Sequence, residues 1–127
     1  MAITQVNVST PSVEVVFQDT AMGNAVDSIK ASSAKVYSVI VDNSANGGAA
    51  TYVKLFNLAS GSVTLGTTAP DEIIYVPGGA IVTKQYFTSA AQGVIFGTAL
   101  SAAAVTTGGT AGTTPPVSPV VVSVIYV

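Results

Sequence analysis

The sequence contains no cysteine, no histidine and no tryptophan. Its basic residues are four lysines, Lys30, Lys35, Lys54 and Lys84, so arginine is absent as well. Each absence removes chemistry. Without cysteine there is no disulfide scaffold and no thiolate metal site. Without histidine, zinc, copper and iron lose their commonest nitrogen ligand, and a serine nucleophile loses its usual base. Charge of either sign is scarce. The lysines stand against six acids, Glu14, Asp19, Asp27, Asp42, Asp71 and Glu72, giving a net charge of −2 and a charged fraction of 8%, where about 25% is ordinary. Four scattered lysines do not make the basic footprint that phosphate neutralisation requires, so nucleic acid is not an expected partner. Long apolar runs are missing too. Stretches such as Val120 to Val122 fall far short of the roughly 20 residues of a membrane-spanning helix. The first eight residues hold neither a basic region nor a continuous apolar stretch, so neither a secretory signal nor a membrane partner is expected.

What the chain does have is apolar and β-forming. At 127 residues and 49% hydrophobic, it is long enough to bury about two-thirds of its unfolded surface in one core, and too apolar for disorder. We read residues 1–127 as a single domain. Valine and threonine abound, and Gly-, Asn- and Pro-containing breaks recur at short intervals, the pattern of an all-β protein. The expected fold is an antiparallel β-sandwich, jelly-roll-like, of about eight strands. Ser12 to Phe17 reads as a strand after Pro11, with Val13, Val15 and Phe17 on one face. Val26 to Lys30 is a short one. Lys35 to Asp42 and Thr51 to Asn57 flank an Asn/Gly-rich turn and are expected as antiparallel neighbours, with Tyr52, Lys54 and Phe56 on one face of the second. Further strands are expected at Ser62 to Leu65, Glu72 to Val76, Ala80 to Phe87, Gln92 to Thr98 and Leu100 to Val105. Thr106 to Pro119 is a Gly/Thr/Pro tract that reads as an extended loop or arm, and Val120 to Val127 as a final strand inside the sheet.

No constellation of reactive groups emerges. Asp71 and Glu72 are adjacent, so a strand would send them to opposite faces, and Asp71 after Pro70 has turn chemistry. Gly108-Gly109 and Gly112 lack the lysine and the strand-to-helix setting of a phosphate loop. The sequence therefore predicts no enzyme, no cofactor and no metal. Tyrosines and phenylalanines fall mostly within apolar strands, where packing is their expected use. A charge-poor surface is economical if much of it is covered in an assembly.

The stretches Val36-Tyr-Ser-Val-Ile-Val-Asp-Asn-Ser44 and Ala50-Thr-Tyr-Val-Lys-Leu-Phe-Asn57, with Gly66-Thr-Thr-Ala-Pro-Asp71, Val76-Pro-Gly-Gly79 and the Gly/Thr tract before the last strand, resemble small virion structural proteins of tailed bacteriophages. The resemblance covers residues 35–127 and rests on strand and turn patterns. It implies a capsid decoration (cement) protein on the outer surface of the capsid, with the major capsid protein as partner. A neck or tail protein and a glycan-binding module are the alternatives. Symmetric homo-oligomers are the common solution for such proteins, and a homotrimer is expected. Residues 1–17 fit an N-terminal arm or edge strand. Ile3, Val6, Val8, Val13 and Val15 there, with Pro115 and Pro116 in the tract, are the candidate assembly contacts.

Overall fold

A computed structural model of the chain describes residues 14–86 and 92–127. The strands are β1 (Val15–Met22), β2 (Asp27–Lys30), β3 (Ala34–Asp42), β4 (Thr51–Phe56), β5 (Glu72–Val76), β6 (Ile81–Gln85), β7 (Val94–Phe96), β8 (Leu100–Val105) and β9 (Val120–Tyr126). Most are rich in Val, Ile and Thr, whose branched side chains suit a pleated surface. β8 is instead built on Ala102, Ala103 and Ala104. Its local preference for helix is overridden because it is buried along its whole length between β2 and β4.

One sheet has the order β1-β9-β3-β6, with β7 lying farther along β3; the other has the order β2-β8-β4-β5. Every pairing is antiparallel. The chain passes from one sheet to the other at each of its first three connections, stays in the second for β4 to β5, and returns for β6 and β7. It then crosses to β8 and back to β9. This is jelly-roll connectivity. Since β6 and β7 occupy successive stretches of the same side of β3, the nine strands among the described residues fill eight places.

Three expectations are corrected. β3 and β4 are not neighbours; they lie in different sheets. The Asn43 to Ala50 segment does reverse the chain, but it is long enough to cross the ~10 Å between packed sheets, where a hairpin closes with about two residues. Val36, Val39 and Val41 on β3 thus contribute to one core with Val53 and Leu55 on β4. Ser62 to Leu65 forms no strand: a 3-10 turn over Ser60–Ser62 precedes it. The strand expected from Gln92 to Thr98 shrinks to β7.

The core joins the inward residues of both sheets, including Val120, Val122 and Val124 of β9 opposite Ala102 and Ala104 of β8. Burying a valine or leucine is worth about 1.5–3 kcal/mol, which supplies the main drive for closing the sandwich. The turn Pro77-Gly78-Gly79 carries the chain between sheets, and Gly79 takes φ 76° there, a conformation cheap only for glycine.

Candidate assembly surface

The two outer faces of the sandwich differ. On the β2-β8-β4-β5 sheet the outward residues Lys54, Phe56, Ala103 and Val105 are fully covered. Two long connections lie over them. Residues 57–71 are held by a bond from the Ser101 hydroxyl to the Leu58 carbonyl (2.8 Å) and by Asp71, whose carboxylate accepts from the Asn57 N–H at 2.7 Å. Asp71 thus serves the turn, as its sequence position suggested.

The second cover is the Gly/Thr/Pro tract, which is fastened to the body rather than free as an arm. Lys54 Nζ donates to the carbonyls of Gly112 (2.9 Å) and Thr110 (3.4 Å). The Thr106 N–H donates to the Thr114 carbonyl, and the Asn24 side chain to the Thr113 carbonyl. Asn46 grips Ser118 in both directions, its amide donating to the carbonyl at 2.8 Å and its oxygen accepting from the N–H at 2.9 Å. A Cβ on Gly112 would run into the Thr107 carbonyl, so glycine is required where the tract folds on itself. Desolvation lowers the Lys54 pKa from its ordinary value. Within the tract Pro115 is exposed and Pro116 buried, while Val117 is 92% exposed.

The other sheet is open. Its outward residues Val16, Gln18, Ile40, Thr83, Ser123 and Ile125 range from partly buried to exposed. At its edges stand four of the large apolar side chains that the described residues leave exposed: Val15 (45%) and Val16 (63%) on β1, Ile81 (63%) on β6 and Ile95 (69%) on β7. Among the described residues β1 pairs only with β9, and β6 and β7 only with β3. Among the described residues, both edges therefore have backbone groups without a strand partner, and such edges can add one.

The two edges also differ in charge. Glu14 and Asp19 lie at the β1 edge, whereas Lys84 stands on β6, with Lys35 beside β7 and Asp42 beside Ile81 on β3. Asp19 meets Asp27 of β2, and the Asp27 pKa is raised to about 6, first by burial, then by the hydrogen bond and charge of Asp19. Near the opposite edge the Tyr86 hydroxyl is buried without a partner among the described residues. Burial, with the charge of Glu72 second, pushes its pKa well up.

Of the expected contacts, Val15 lies on the exposed β1 edge and Pro115 on the surface of the tract. Ile3, Val6, Val8 and Val13 fall outside the described residues. Val16, Ile81 and Ile95 are further exposed apolar edge residues that the sequence did not single out. Their signal was present as large apolar residues in short strands, but only the sheet order shows that those strands are edges. The sequence also placed Tyr75 in packing, whereas the ring is 54% exposed beside Tyr52, with centroids 5.3 Å apart. Among the described residues no group of three His, Cys, Asp or Glu side chains converges as metal ligands would, and no helix is long and apolar enough to cross a membrane. No family model, no curated protein and no solved structure matches the chain.

Proposed function

We propose that this chain is a non-enzymatic virion structural protein, a homotrimeric capsid decoration protein that binds the major capsid protein on the outer surface of a tailed-phage shell and stabilises it. The observation that carries this reading is the contrast between the two faces: one covered over its centre by its own connections, with Tyr75 left exposed at its β5 edge, the other open and bounded by apolar edges. Such a body needs no reactive group. It needs rigidity and surface that is lost to a partner on assembly. The jelly roll is used by capsid and lectin domains alike, so the fold by itself supports the class by analogy only; the open sheet adds the physical reason.

The test is to mix purified chain with shells that lack it. The reading expects saturable binding at stoichiometric amounts and a rise in the temperature at which shells release their contents. Shells that neither bind the chain nor gain resistance contradict it. A glycan-binding reading draws support from the exposed Tyr75 ring beside Tyr52, since aromatic faces can stack on sugars. It expects measurable affinity in a screen of diverse glycans, lost in Tyr75→Ala.

A further inference from the structure

The geometry points to the two edges of the open sheet as the two halves of a head-to-tail interface between copies of this chain: the β1 edge of one copy adds to the β6/β7 edge of the next. This rests on the self-association within the proposed function and names the surface that makes it. Three observations converge. The exposed apolar side chains at these edges are divided between both, Val15 and Val16 on one, Ile81 and Ile95 on the other. The first edge carries acids, Glu14 and Asp19, and the second carries Lys84, with Lys35 beside Ile95 and Asp42 beside Ile81 on β3. A twofold pairing of β1 with itself would bring acid to acid, and one of β6 with itself would bring Lys84 to Lys84. The heterologous arrangement brings Asp19 of one copy near Lys84 of the next, and charge patterning of this kind favours one pairing over another.

The third observation is strand direction. β1 and β3 run one way, β9 and β6 the other. Rotation about an axis parallel to the strands keeps every direction and every height. β1 of one copy then meets β6 of the next antiparallel, continuing the ladder already used throughout the sheet. The registers fix the heights. Val16 lies opposite Ile125, Ile125 opposite Ser38, and Ser38 opposite Gln85, so Val16 of one copy stands level with Gln85 of the next. Likewise Val15 is level with Val94, through Tyr126 and Val36. Asp19 is level with Val82, through Val122 and Val41, close to Lys84 along the same strand. A heterologous contact closes a ring when the rotation permits, and the homotrimer requires that closure.

Cysteine cross-linking tests this directly, because the chain has no cysteine of its own. Directly opposed residues on antiparallel strands have Cα atoms about 4.5–5.5 Å apart, within disulfide reach. The full-length double variant Val16→Cys/Gln85→Cys should, on mild oxidation, give a covalent trimer on a denaturing gel, while each single variant stays monomeric. Charge reversal gives a second readout without cysteine. By sedimentation of the purified chain, Asp19→Lys and Lys84→Glu should each weaken self-association several-fold, and the double reversal should restore it. Dimers from Val16→Cys alone would mean twofold β1 pairing and overturn the inference. So would the absence of cross-links in the double variant, the result expected if the chain's own residues cover an edge. Binding to shells is read separately: a cross-linked trimer that ignores shells contradicts the decoration role and leaves the interface standing.

Discussion

The Asn43 side chain is buried and uses its whole hydrogen-bonding capacity. Its amide donates to the carbonyls of Ala49 (3.0 Å) and Pro77 (3.1 Å), and its oxygen accepts from the Asn46 amide (2.8 Å) and the Thr51 hydroxyl (2.9 Å). Asn46 continues to Ser118, so one network ties the β3–β4 turn to the β5–β6 turn and to the end of the tract. Asn43→Ala strands these partners out of water. It should cost about 3 kcal/mol and lower Tm by about 10 °C, measured by calorimetry. The sequence marked residues 43–50 as a turn, which asparagine favours. It could not reveal that Asn43 also reaches the Pro77 carbonyl, because that partner is 34 positions away in sequence and is delivered by the other turn.

At the scale of elements, Lys54 shows where an alternation rule stops. The sequence placed Lys54 on one face of β4 with Tyr52 and Phe56, and the structure makes that face the outward one, a position ordinarily solvated. The charge is covered because the tract returns over it, a non-local event encoded in no single window. Lys54→Met keeps the aliphatic stem but leaves the Thr110 and Gly112 carbonyls without their donor. Amide exchange at Thr106 and Ser118, whose N–H groups are bonded at the two ends of the tract, should speed up about tenfold, while β3 amides keep their protection. A second device joins β1 to β2 across the two sheets. The Asp27 carboxyl, raised from 3.8 to about 6, keeps its proton in the folded state after the unfolded chain has released it. Its contribution is complete below pH 3.8 and is lost as pH rises through about 6. Discounted for partial solvent screening, it amounts to about 1 kcal/mol. Tm should therefore decline between pH 4 and 6.5 from this source, and Asp27→Asn should flatten that part of the profile.

For the whole molecule, the division into an all-β sandwich was legible from valine and threonine in short alternating runs punctuated by Gly, Asn and Pro. The pairing of those runs was not, because β3 and β4 are buried strands whose composition suits adjacent and opposed positions equally. The same limit applied to the assembly surface. An exposed edge and a covered centre read alike until the sheet order is known, so the exposure of Ile81 and Ile95 at strand edges could not be read from the sequence. The covered and open faces and the two edges fit the proposed role as a building block. The most direct measurement of that claim is the copy number of this chain in purified particles, relative to the major shell protein. A decoration role predicts hundreds of copies in a simple ratio to the shell. A dozen copies or fewer would place the chain at the neck or tail, and its absence from particles would contradict the virion role altogether.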